Sequence, residues 1–424
     1  MGILFSSTLL GQTKTDDELY ATWKDKSESE TVRLEAIWER MDADSLPNQE
    51  PDWRKKWKSE TKEAIELAIK YDKKGYLPLF YWRSVNACGD NTDCICTAAH
   101  NTVESARVAN ASNSPIVFWA YYNLSSLCNE NVKEEDMIKE FNKLKSFLSN
   151  TPDYQIQLRE PTYYFGIWYG MKEKFPKALS YLLESQRLSE ALKLMDNSYA
   201  RNNEMLARIH IQIGNYKEAE KYIDKSLQVA HSLKDTFQLG SSYLGKSHLM
   251  IKLKDEAKAQ LFIDSAMYVM KNVKHCEPCY YIAKTVNAGI KNLSGNYSGA
   301  LTELKEIEAF YNEEGNGKKP EPIFFIEKGK AYLGLKKYDS AIQMIKAVKV
   351  PAQTYNKEVS DYYDILSKVY EGIGDYNNAL KNYKLHIQAE DTLAAWRNSS
   401  EVTRLELENQ FTQQQLKSKL DFQT

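Results

Sequence analysis

Six alanines that each follow a tight turn stand at nearly even intervals: Ala178, Ala219, Ala259, Ala300, Ala341 and Ala379 are 41, 40, 41, 41 and 38 residues apart. Three residues before them come Phe175, Tyr216, Glu256, Tyr297, Tyr338 and Tyr376, aromatic in five of the six units, with Glu256 marking the degenerate one. Twelve residues before them stand Gly166, Ala207, Ser247, Ala288, Gly329 and Ser367, small every time. Four residues after them come Leu182, Ile223, Ile263, Leu304, Ile345 and Tyr383. A plain amphipathic helix accounts for apolar periodicity, but not for small residues held in register over five intervals. The chain is a comb of repeated units, and such combs stack into extended surfaces that hold other molecules.

Small residues at a fixed spacing imply close helix contact. Where two antiparallel helices cross, a small side chain on each lets the backbones approach, and the aromatic and aliphatic residues fill the space beside the crossing. Gly214, Gly295 and Gly374 then supply the tight backbone between paired helices. Only 18 Gly and 11 Pro interrupt the 424 residues, and 42% hydrophobic content suffices for a large core, so helix is expected nearly throughout. The predicted fold class is all-α: an α-solenoid of antiparallel helix pairs with a repeat of about 40 residues. A net charge of -2, with no sustained Lys/Arg block, argues against nucleic-acid binding.

The segments "EGIGDYNNALKNYK" and "IQIGNYKEAEKYI" set glycine, an aromatic, alanine and an apolar residue in the order that resembles a tetratricopeptide repeat. The usual repeat is shorter, and the extra residues fit either a longer second helix or loops such as "NEEGNGKKPEP". Upstream, "PIVFWAYYNLSSLC" with the helix that follows it, and "YLPLFYWRSVNAC" with "TAAHNTVESARVA", read as degenerate units, the latter pair carrying "GDNTDCIC" as an insertion in its turn. Residues 16–72 are rich in Trp23, Trp38, Trp53 and Trp57, read as core of an N-terminal cap over the first repeat. The organisation expected is 1–12 as a signal-peptide remnant, 13–74 as the cap, 75–150 as degenerate repeats, 151–388 as repeats and 389–424 as a polar linker helix.

The ends suggest location. "MGILFSSTLLGQ" resembles the tail half of a secretory signal without its basic leader, and also matches a myristoylation pattern at Gly2 and Ser6. Export to the periplasm is the preferred expectation, with the cytoplasm as the alternative. The C-terminal stretch after the last repeat, with Leu405, Leu416 and Leu420 among Glu and Gln, resembles the linker of bacterial sensor proteins in which exported tetratricopeptide repeats precede a membrane helix and an output domain. That resemblance implies signal transduction, membrane association only through flanking segments, and a homodimer through the C-terminal helix.

Six cysteines are the sharpest candidates for chemistry. In a solenoid of paired helices the end of one first helix, the turn after it and the end of the next first helix share one edge. Cys88, Cys94, Cys96 and Cys128 therefore converge, as two disulfides or, as the second choice, a zinc site. Cys276 and Cys279 form a Cys-x-x-Cys, read as a structural disulfide or plain thiols ahead of a redox pair or a metal site with His275.

No hydrolase elbow, phosphate loop or zinc-protease motif occurs, and His100, His210, His231, His248, His275 and His386 are scattered singly. No enzyme activity, cofactor or metal is expected, and His210 is read as a buried, satisfied histidine. In tetratricopeptide solenoids the first helices line the concave face, which puts Ile167, Arg208, His248, Gly289, Lys330 and Lys368, eleven before each alanine, into it. Tyr163, Glu204, Leu244, Thr285, Ile326 and Asp364, fifteen before, lie beside them. The resemblance so nominates Tyr163, Arg208, His248, Lys330 and Lys368 for binding a protein or peptide. The plainer alternative is ordinary ion pairing along the helices, Glu204 with Arg208 and Asp364 with Lys368. The lysine and asparagine that clamp a terminal carboxylate in chaperone-binding repeats are absent here. The reading is a non-catalytic binding solenoid of a bacterial signalling protein; a free periplasmic scaffold, a cytoplasmic peptide-gated regulator and a Cys-x-x-Cys redox protein are the alternatives.

Overall fold

A computed structural model of the chain describes residues 15–42, 53–88, 91–109, 116–128, 130–149, 154–271, 273, 276–313, 320–348 and 357–395. Among them helix is the only regular secondary structure. The N-terminal stretch 1–12 read as a signal-peptide remnant, the loop around 314–319 and the C-terminal stretch with Leu405, Leu416 and Leu420 lie outside the described residues. Contacts divide the chain into two compact units, Met1–Trp168 and Tyr169–Thr424.

In the first unit, α1 (Asp16–Lys24), α2 (Glu30–Asp42), α3 (Trp53–Lys70) and α4 (Leu77–Ala87) enclose a core of Trp23, Leu34, Ile37, Trp57 and Phe80. Trp38 packs half-buried against it, as the tryptophan-rich sequence predicts; the Trp53 side chain is outside the described residues. A buried ion pair, Arg40 of α2 with Glu60 of α3, sits in the same core. The unit continues through α5 (Thr92–Val108), α6 (Ile116–Ser126), α7 (Glu134–Leu148) and the first part of α8 (Tyr154–Met171). Phe118 sits tilted against Phe141, Phe141 stacks on Phe165 and Phe165 on Trp168, and the Trp168 indole donates to Ser125 Oγ at 2.9 Å.

One local expectation is corrected. Cys94 and Cys96 lie within α5 and not in an inserted turn, because the Asn91 side chain accepts the Cys94 amide at 2.9 Å and Asp93 favours the positive end of the helix dipole, starting the helix at Thr92.

The second unit pairs α10 (Asn197–Gln212) with α11 (Tyr216–Leu233), α12 (Thr236–Lys252) with α13 (Glu256–Met270), α14 (Glu277–Leu293) with α15 (Tyr297–Glu313) and α16 (Pro322–Gly334) with α17 (Tyr338–Lys346). α9 (Phe175–Ala191) precedes these pairs; α18 (Lys357–Gly372) and α19, residues 376–395, follow. Asp196, Asp235 and Asp255 start α10, α12 and α13, each accepting the amide three residues on at 2.9–3.1 Å. All six signature alanines are buried. Where the small residue twelve before is serine, its hydroxyl ties the two helices directly: Ser247 Oγ donates to the Ala259 carbonyl at 2.9 Å and Ser367 Oγ to that of Ala379 at 3.0 Å.

The residue five before each alanine is left-handed in all six turns. Gly214, Gly295 and Gly374 take φ of 76°, 78° and 83°, as the sequence predicts. Glu173, Lys254 and Lys336 adopt the same backbone, with φ of 58°, 61° and 59°. The rings of Tyr297 and Tyr338 lie so closely over Gly334 and Gly372 that a Cβ on either glycine would collide with the ring. In these two repeats the glycine of the next first helix makes room for the ring. Where Glu256 replaces the aromatic, Leu293, the residue at the same place in the next first helix, stays exposed.

Candidate binding face of the second unit

Successive first helices of the second unit carry Arg208, His248, Gly289, Lys330 and Lys368 in one register. Arg208, His248 and Lys368 are exposed, and Lys330 is half-buried. Residues four earlier, Glu204, Leu244, Thr285 and Ile326, are buried and form the floor. Tyr163, at that same offset in α8, is buried with its ring 5.0 Å from Tyr164 and belongs to the first unit.

The floor sets each exposed group. Glu204 accepts from Arg208 Nε at 3.0 Å, from Gln238 Nε2 at 2.8 Å and from Ser241 Oγ at 2.6 Å, so one carboxylate of α10 joins two first helices. Lys330 Nζ lies 2.9 Å from both Glu327 and Asp361, joining α16 to α18, while Glu327 also accepts Asn292 Nδ2 at 2.9 Å. Burial disfavours the Lys330 charge, but the two carboxylates outweigh it and hold its pKa above the usual lysine range. Lys368 pairs with Asp364 at 2.7 Å. The plain ion-pair alternative is thus present in the geometry at Arg208 and Lys368, and both cations still present an exposed side to solvent.

His248 behaves differently. Solvent reaches it from the open side, while protein atoms crowding the other sides disfavour the charged ring; Arg208 and Lys252 add repulsion, and its pKa is pushed down to about 4. It is a neutral hydrogen-bonding group at neutral pH. His210 is buried and stacked on Tyr222 with centroids 5.4 Å apart, a core residue as predicted.

Sequence reading misses the links between repeats. Gln260 donates to Asn287, Asn287 donates to Glu303, and Lys291 pairs with the same Glu303 at 2.7 Å. These residues share no common offset from the alanines, so no periodic signal reveals them.

The cysteines fall into three pairs: Cys88 with Cys94, Cys96 with Cys128, and Cys276 with Cys279. Cys276 precedes α14 and Cys279 lies in its first turn. Among the described residues no group of three or more His, Cys, Asp or Glu is placed to hold a metal.

These helix pairs, with their alanine crossings and left-handed turns, define an α-solenoid of repeated hairpins. The family model described as tetratricopeptide repeat matches residues 200–230, spanning most of α10 and α11. A solved Rap protein, complexed with Competence and Sporulation Factor, superposes with a TM-score of 0.55 at 13% identity, covering 81% of this chain and 98% of that one. Aspartyl phosphate phosphatase F from Bacillus subtilis gives 0.55 at 12% identity, covering 90% and 96%. At such identities the likeness is one of fold. No curated protein matches the sequence.

Proposed function

We propose that this chain is a non-catalytic scaffold whose second unit holds a protein segment or peptide against its first helices. The observation that carries the reading is the register of Arg208, His248 and Lys368: three exposed polar side chains on separate helices, set over a floor of buried residues. Such a face offers hydrogen bonds and cations to an extended chain carrying carboxylates. The Rap structure with its bound factor adds support through a shared fold. A library of displayed linear peptides selected on the immobilised chain tests it. Binders are expected, and Arg208→Gln with Lys368→Gln, which set neutral groups beside Glu204 and Asp364, should weaken them at least about tenfold with little change in thermal unfolding. Lys330→Glu is a poor probe, since it sets a third carboxylate beside Glu327 and Asp361. Selected peptides that bind the double variant equally well would remove this face from the proposal.

Within this reading the chain serves an exported bacterial signalling assembly. Its support is the pairing of all six cysteines, since disulfides persist in oxidising compartments and are rare in the cytosol. Thiol labelling of chain taken from its native host, unfolded without reductant, should detect fewer than about two free thiols. Six reactive thiols would favour the cytoplasmic, peptide-gated regulator instead.

A further inference from the structure

The three cysteine pairs differ in what they join. Cys88–Cys94 links the end of α4 to α5, and Cys96–Cys128 links α5 to the residues after α6, so each ties two helices that also pack on one another. Cys276–Cys279 joins nothing distant. Its members are 3 residues apart, and the backbone already closes that turn, the Cys279 amide donating to the Cys276 carbonyl at 3.0 Å. A cross-link stabilises chiefly through the length of chain it closes, so this one adds little to the fold. Its place suits exchange instead. Cys276 is half-buried and stands at the cap position of α14, where its side chain makes no capping hydrogen bond. A thiolate there faces the positive end of a 17-residue helix, which favours the ionised sulfur. Cys279, in the first turn, is only 8% exposed. One sulfur is thus within reach of an incoming thiolate and the other is shielded.

We infer that Cys276–Cys279 is a thiol–disulfide exchange site for an external dithiol, entered at Cys276. A thiolate of the dithiol attacks Cys276 Sγ, forming a mixed disulfide and releasing Cys279 as a thiolate in the first turn of α14. The second thiol of the dithiol then attacks its own linked sulfur, which closes the donor's disulfide and releases Cys276. Two electrons pass from the dithiol to the pair, and the dithiol's two protons end on the Cys276 and Cys279 sulfurs. The positive helix end stabilises both leaving thiolates, so this pair is the easiest of the three to reduce. Cys94 also lies in a first turn, but there the Asn91 side chain already accepts the Cys94 amide, and packed α4 and α5 hold Cys88 opposite, which favours re-closing.

Equilibrating the full chain in mixtures of reduced and oxidised dithiothreitol, trapping thiols with a maleimide and locating each label by peptide mass spectrometry tests it. Cys276 and Cys279 should be labelled at a reduced-to-oxidised ratio at least about tenfold lower than the other four cysteines, with circular dichroism unchanged. Opening of all three pairs together, or earlier opening of Cys88–Cys94 or Cys96–Cys128, would overturn the inference. Single variants read the entry sulfur. Cys276 in Cys279→Ser should form a mixed disulfide with oxidised glutathione at least about tenfold faster than Cys279 in Cys276→Ser. Equal rates would overturn the assignment of Cys276 as the sulfur attacked.

Discussion

Arg40→Met lowers the stability of the first unit by about 3 to 5 kcal/mol, and adding Glu60→Leu restores most of the loss. Both partners are buried between α2 and α3, and the guanidinium also lies 4.9 Å over the Tyr20 ring. Removing the cation alone strands a carboxylate in a core of Trp23, Leu34 and Trp57, where its hydration is lost and nothing charged replaces it. Removing both charges exchanges a costly pair for apolar packing of similar volume. Denaturant unfolding followed by tryptophan fluorescence reads this directly. Equal loss in the single and double variants would show that the pair contributes through shape and not through charge.

Ala300→Leu destabilises the second unit by about 1 to 3 kcal/mol. Ala300 is fully buried in a cluster with Ala288, Leu304, Ile307, Phe324 and Ala331, drawn from α14, α15 and α16. Added methylenes push against three helices at once, and the packing density leaves little room to relax. Stacked repeats couple chiefly to their neighbours, so the damage stays local. Hydrogen exchange should rise in α14, α15 and α16 and much less in α10 and α11, whereas Thr302→Leu, at an exposed position of the same helix, should leave exchange nearly unchanged. Uniform loss of protection across the unit would refute local coupling.

Much of the fold was legible because steric demands repeat. Ala300 and its five equivalents are buried at crossings, Gly214, Gly295 and Gly374 do adopt left-handed backbone, and the tryptophans that can be described are core. What escaped the sequence depends on who meets whom. Arg40 and Glu60 are 20 residues apart on different helices, and Lys330 meets Asp361 only because α16 and α18 stack. The start of α5 was obscured by an Asn-Thr-Asp run that reads as loop until the Asn91 cap is formed. Of the proposed binding residues, Arg208, His248 and Lys368 follow from register alone; the clamped state of Lys330 does not, since Asp361 reaches it from a neighbouring helix.

Along the second unit left-handed backbone falls on glycine at Gly214, Gly295 and Gly374 and on residues with a side chain at Glu173, Lys193, Lys234, Lys254 and Lys336. Glycine accepts that backbone without penalty, whereas a side chain there costs about 1 to 2 kcal/mol. Strain is therefore stored at the turns before α9, α10, α12, α13 and α17, and is absent from the glycine turns before α11, α15 and α19. Under tension the solenoid would give way first at the strained joints and last at the glycine ones.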